Sequence, residues 1–292
     1  MNKGLLEKFS GAAAAYSVRL LNRSYTGPLL KIRRVDSVSS QDNGEIFVFP
    51  DNDGWISLDS KVIDPSHTSL ATTLREFLNL GGQPDKDIIL STDPQDAYVV
   101  VWKDQSGNAN DASQTSTTAQ PKLATAGVLV TENGKPAVDF DGAGDELNAT
   151  AYDEPTLTSI VVTVNDNTAA NSRASIIAGA ASSKSTMSHA NDLSLRYDGA
   201  FSAGTQTAAT NTQYLRFAVR TTSSQTEHVN GASNVSTSLT LPNASGTINI
   251  GRAASTYLHF EGRVQEAVLY SSDQSSNRTD IENNINTFYN IY

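Results

Sequence analysis

The chain has 292 residues, 38 % of them apolar and 18 % charged, with a formal net charge of −10 at pH 7. That length suits one large all-β domain or two small ones, and it buries a sizeable core without staples. The acidic balance repels phosphate backbones and argues against a nucleic-acid partner, while the absence of cysteine excludes a disulfide framework and a thiolate metal site.

Ser, Thr, Asn, Ala and Gly make up the remainder, a composition that leans toward strands and turns. The first residues, Met1 to Lys8, lack the apolar stretch of a signal peptide, and no run approaches the length of a membrane span. The expectation is therefore a chain with no signal peptide and no membrane insertion.

In chain order, Leu5, Leu6 and Phe9 suggest a short helical turn. Tyr16, Val18 and Leu20 alternate with polar residues as a strand does, and Leu29 to Val35 reads as another strand, so that Arg19 to Val35 looks like a hairpin. Lys31 to Arg34 is a short basic run, but strand alternation divides it between two faces. Gln41 to Gly54 is polar and rich in turn residues. Leu70 to Leu80 is the best internal helix, with Ser69 as its cap and Gly81–Gly82 at its end.

Asp96 to Trp102 is an apolar strand that ends in the polar turn Asp104 to Gly107. Asn133–Gly134 and Asn230–Gly231 are hairpin signals. Strands follow over Pro136–Phe140, Thr156–Val164, Leu193–Tyr197, Tyr214–Val219, Glu227–Val229, Thr247–Ile250 and Phe260–Tyr270, with Ile176–Ile177 as a short one. Ser276 to Tyr289 reads as a C-terminal helix with Ile281, Ile285 and Phe288 on one side. Short strands between frequent turns indicate a sandwich or barrel. The organisation expected is an N-terminal arm over residues 1–13 and a single domain over 14–292.

Three segments carry a family resemblance. Tyr16-Ser17-Val18-Arg19-Leu20-Leu21, with Ser24 to Pro28, and Trp102-Lys103-Asp104-Gln105-Ser106-Gly107-Asn108 resemble the start of the catalytic domain of fungal α-L-arabinofuranosidase B enzymes. Gly134 to Gly142, together with Ile250-Gly251-Arg252 and Phe260 to Tyr270, is similar to laminin-G-like and concanavalin A-like jelly rolls. The opening Gly11-Ala12-Ala13-Ala14-Ala15-Tyr16-Ser17 also resembles virion and tail-fibre proteins of tailed bacteriophages. The resemblance implies an all-β, concanavalin A-like antiparallel β-sandwich (jelly roll) with a short internal helix and a C-terminal helix.

The same resemblance gives expectations for function. In the arabinofuranosidases the nucleophilic Glu lies on a strand matched here by Asp192-Leu193-Ser194-Leu195, where no Glu occurs, although Asp192 stands as a displaced substitute if the alignment slips by one. The acid/base Asp is matched by Ala253. This implies a protein without catalysis: a phage structural protein, exposed on the particle as a capsid decoration or tail-fibre component and assembled in the host cytoplasm. Its partners would be other virion proteins, further copies of itself and a host-surface glycan. The alternatives are a lectin module outside a virion and a diverged glycoside hydrolase.

Candidate residues follow from chemistry. Sugar sites combine an aromatic face with amide and carboxylate groups, which nominates Tyr197, Tyr257 and Tyr214, with Asp104 and Asn108 at the polar turn. For Asp104 the alternative is organisation of the turn, paired with Arg33 or Arg34. Asp139 and Asp141 share one face of a strand and, with Asp145, offer oxygen ligands for calcium, the one candidate cofactor; the alternative is an Asx-type turn. The four histidines show no metal spacing.

Overall fold

The computed structural model describes residues 4–36, 42–65, 71–78, 95–166, 174–178, 185–189, 195–197, 200–202, 204–241, 243–252 and 259–292. The strand Leu157–Asn165 is buried at every position, which is why its sequence is a nearly unbroken β-branched run. It pairs antiparallel with Thr212–Arg220 on one side and Glu261–Tyr270 on the other. Ser224–Val229 and Ala232–Ser238 extend the sheet beyond Thr212–Arg220. The other edge of Glu261–Tyr270 is shared: Ala12–Ser17 takes its C-terminal half and Val138–Asp141 its N-terminal half.

A second layer is built on Gln95–Trp102, which pairs with Leu30–Asp36 and, through Pro121 to Ala124, with Lys122–Thr125. Leu147–Glu154 pairs with Ala244–Ile250 and carries the sheet onward. The result is an antiparallel β-sandwich with a C-terminal helix and one main apolar core containing Trp102, Tyr16, Phe140, Phe260 and Phe217. Leu5 and Leu6, from the short N-terminal helix, lie in that same core. Among the described residues no helix is long and apolar enough to cross a membrane.

The helix Arg278–Tyr289 buries Ile281, Ile285 and Tyr289 at successive i+4 positions, and Phe288 packs against the core beside them. Asn290 ends the helix in the left-handed conformation, and its amide donates to the Asn286 carbonyl at 2.7 Å. The two Asn-Gly hairpins form as expected. Asn133 and Gly134 both have positive φ, as do Asn230 and Gly231, which matches the twist of the strands they join.

Several local expectations are corrected. Arg19 to Val35 is not a hairpin: Ala12–Ser17 pairs with Glu261–Tyr270, whereas Leu30–Asp36 pairs with Asp42–Val48 and Gln95–Trp102. Asp42–Val48, expected as turns because of its Asp-Asn-Gly start, is a strand whose Ile46 and Val48 reach the core. The internal helix is one turn, Leu74–Phe77. Its cap is Thr73, whose Oγ1 accepts from the Glu76 amide at 3.3 Å, while Glu76 reaches back to the Thr73 amide. Ser69 and Gly81–Gly82 lie outside the described residues. Leu147–Glu154 is a strand that the sequence did not announce.

Candidate functional site

A cleft of about 550 Å³ over the junction of the two layers is lined by three aspartates, an arginine, a lysine and a tyrosine. The Val138–Asp141 strand supplies Asp139 and Asp141 from one face, because Val138 and Phe140 occupy the alternate, buried positions. Gly251 helps fix this strand. It has φ +92°, and a Cβ there would collide with the Phe140 ring and lie 3.0 Å from the Asp145 carbonyl oxygen. Lys122 sits opposite Asp139 in the sheet register, and Arg33 and Tyr98 enter from neighbouring strands.

The basic groups are held in place. The Arg33 Nε donates to Gln120 Oε1 at 3.0 Å, and its guanidinium lies 4.9 Å from the Tyr98 ring centre. The Lys122 ammonium lies 3.3 Å from Asp96 Oδ2 and 5.5 Å from the same ring. Burial alone would lower the pKa of Lys122, but Tyr98 and Asp96 together raise it.

The three carboxyls are electrostatically unlike. Burial, and next the charge of Asp166, push Asp139 up to about 6. Burial, and next the charge of Asp141, push Asp145 up to about 7. Asp141 goes the other way: burial raises it, but the backbone N–H groups of Gly144, Ala143 and Asp145 outweigh that and hold it below its ordinary value. Those amides donate to Asp141 Oδ1 at 2.9, 2.8 and 3.2 Å, and the Asp141 amide donates to Asp145 Oδ2 at 3.0 Å. The cleft thus holds one carboxylate fixed as an anion beside two carboxyls that exchange protons near neutrality, the pattern that separates acid from base roles.

Of the two readings of this segment, calcium ligands or an Asx-type turn, the hydrogen bonds show the turn. Among the described residues no group of three acidic or histidine side chains is placed to hold a metal ion. The reason is local: Asp141 Oδ1 is already engaged by three backbone amides, so the Asx-type turn is what the segment forms.

Asp104 and Asn108 both take part in organising the turn, the alternative weighed for Asp104. Asp104 is 5 % exposed and accepts from the amides of Ala15, Ser106 and Asn110 and from the Ser106 hydroxyl at 2.7–3.0 Å. Asn108 donates through Nδ2 to the carbonyls of Ala12 and Ala13. Both fasten the polar turn to the first strand. The partners of Asp104 are these amides and the hydroxyl rather than Arg33 or Arg34; Arg34 is buried over Phe77 and donates to its carbonyl. Tyr214 is also structural, packing with Ala208 and Val229 while its hydroxyl accepts from the Ala209 amide. Tyr197 closes the short strand Leu195–Tyr197, but its side chain, together with all of Tyr257, Asp192 and Ala253, lies outside the described residues.

Sequence reasoning found the three aspartates but missed Arg33, Tyr98, Gln120 and Lys122. Only strand pairing brings these to the cleft, from positions up to about a hundred residues away in sequence, so no local motif marks them.

The protonation pattern has a measurable consequence. A carboxyl that holds its proton more tightly in the folded chain than in the unfolded chain stabilises the fold at low pH, and that contribution is lost as pH rises through the raised pKa. For Asp145 the window runs from 3.8 to about 7. Asp145→Asn is expected to flatten the fall in stability across it by roughly 1–2 kcal/mol, after allowance for solvent screening, and to be more stable than the wild type at pH 8. Asp141, held low, acts in the opposite sense and only in acid. Urea unfolding at pH 5, 6, 7 and 8 reads the difference, and an unchanged slope in the variant would contradict the assignment.

No family model matches the chain, and no curated protein matches it in sequence. Solved structures do. A mutant GH54 α-L-arabinofuranosidase, soaked with 4-nitrophenyl α-L-arabinofuranoside, is similar over 96 % of this chain with a TM-score of 0.63 and 17 % identity. An arabinofuranosidase complexed with arabinofuranosyl-α-1,2-xylobiose is similar over 96 % with a TM-score of 0.56 and 18 % identity. The chain spans 64 % of the length of these proteins. The fold is therefore the concanavalin A-like β-sandwich seen in GH54 arabinofuranosidases. At these identities the likeness establishes the fold and assigns no catalytic residue.

The expectation of a protein without catalysis is overturned by the same finding. Three solved structures that share the fold over 96 % of this chain are arabinofuranosidases. The positions from which a loss of catalysis was argued, Asp192 and Ala253, lie outside the described residues.

Proposed function

We propose that this chain is a carbohydrate-active β-sandwich whose glycan site is the cleft of Asp139, Asp141 and Asp145. The observation that carries the reading is the cleft's lining: three aspartates, one of them anchored by three backbone amides, facing the fixed Arg33 and Lys122 donors around one concavity. Sugar hydroxyls both give and accept hydrogen bonds, and such a wall offers both. Its volume lies in the range of small-ligand sites.

A second reading is favoured by the same pair of unlike carboxyls. Asp145, protonated near neutral pH, has the property of a general acid for a glycosidic oxygen, and Asp141 is the ionised group beside it. Titration with arabinose-substituted xylo-oligosaccharides, read by calorimetry and by release of reducing sugar, tests both. Binding without release supports a lectin-like role; release supports hydrolysis. Asp145→Asn is expected to weaken binding at least tenfold, or to abolish release. Wild-type affinity and turnover in that variant would remove the cleft from either role.

Residence on a tailed-phage particle, among other virion proteins and copies of itself, is proposed on the opening segment Gly11 to Ser17. Mass spectrometry of purified particles is expected to find the chain at a fixed copy number, and its absence would refute that placement.

A further inference from the structure

On another side of the molecule a groove of about 640 Å³ runs between the N-terminal helix, the turn at 51–54 and the C-terminal helix. One wall is a stripe of the C-terminal helix in which Asp280, Asn283, Asn284 and Thr287 fall at i, i+3, i+4 and i+7. These side chains are short amides, a hydroxyl and one carboxylate, in place of the long charged chains common on an exposed helix face. The floor is rigid. Arg19 is tied to Glu266 at 2.8 Å and to Asn284 Oδ1 at 3.2 Å. Phe288 is clamped between the Arg19 guanidinium at 5.0 Å and the Lys135 ammonium at 4.5 Å, with Trp55 against it edge-on.

Charge narrows the ligand class. Lys8 and Arg23 on the walls stand beside Asp53 and Asp280, and Arg19 is paired with Glu266, so the groove carries both signs of charge. Among the described residues no acidic cluster in it holds a metal ion. Among the described lining residues only Leu20 and Phe288 are large and apolar, too few for an apolar ligand. A groove with amide and hydroxyl groups along one wall and charges of both signs suits a neutral, polyhydroxylated chain.

We propose that this groove is a second glycan-binding site, for a neutral oligosaccharide, separate from the aspartate cleft. The inference rests on the reading of the chain as carbohydrate-active, and its test separates the two. Neutral xylo- and arabino-tetrasaccharides, with inorganic phosphate as a control, are titrated into the whole chain by calorimetry. The wild type is expected to take up two equivalents of oligosaccharide. Asp280→Ala/Asn283→Ala, two positions on the outer face of the helix whose loss leaves the core intact, is expected to take up one, with at least a tenfold loss at the missing site. Asp145→Asn is expected to retain the groove site. Binding abolished by Asp145→Asn and untouched by the groove variant would overturn the groove alone. Absence of any oligosaccharide binding would overturn both sites. Phosphate binding lost with the groove variant would replace the proposal with an anion site.

Discussion

Glu227→Ala is expected to lose about 3–5 kcal/mol of unfolding free energy, the usual cost of stranding one member of a buried ion pair. Glu227 and Arg216 are both inaccessible to solvent, 2.6 Å apart at their closest atoms. The Arg216 Nε donates to Glu227 Oε1 at 2.7 Å, and Asn234 Nδ2 donates to Oε2 at 2.6 Å. Burial pushes the Glu227 carboxyl up from its ordinary value, against the pull of Arg216 and Asn234. Removing the carboxylate takes the Glu227 charge away from a guanidinium in the interior of the sheet. Arg216→Met combined with Glu227→Gln removes the charge from both sides, keeps an acceptor for Asn234, and is expected to recover more than half of the loss. Urea denaturation of the wild type and the two variants reads this; a loss below about 1 kcal/mol in Glu227→Ala would show that the pair is not buried as described.

Asp104→Ala is the second large effect, at about 3 kcal/mol. One carboxylate serves three backbone amides and a hydroxyl, joining the turn after Gln95–Trp102 to Ala15 in the first strand. Without it, the buried Ala15 amide and the half-buried Ser106 and Asn110 amides lose their acceptor. Asp104→Asn keeps one acceptor oxygen and is expected to recover roughly half of that loss. The same experiment separates structure from ligand contact: glycan affinity in Asp104→Asn should equal that of the wild type, measured on the folded fraction.

The sandwich was legible because its central strands announce themselves. Leu157–Asn165 and Glu261–Tyr270 are long and β-branched or apolar, and the two Asn-Gly pairs require positive φ. Pairing partners were not legible. Ala12–Ser17 joins a strand about 250 residues later, and nothing local encodes that choice. Buried polar groups were not legible for a related reason. In Tyr214 to Val219, alternation places Arg216 on the face opposite Leu215 and Phe217, where solvent would be the default, but this strand is covered on both faces. Short polar strands such as Asp42–Val48 are drawn into the sheet by pairing, which outweighs their turn-forming residues.

The site was half legible. Asp139 and Asp141 share a face by strand period, and Asp141-Gly142 signals the turn that pins Asp141. Their unlike protonation was not, because it arises from burial, from Asp166 and from three backbone amides, none of which a spacing pattern contains.

A crystal structure of the chain soaked with an arabinose-substituted xylo-oligosaccharide tests the central claim most directly. The account predicts a sugar ring in the cleft with hydroxyls within hydrogen-bond distance of Asp139 or Asp145 and of Arg33 or Lys122. A bound sugar that touches none of these four residues, in a crystal where the cleft is open to solvent, would contradict it.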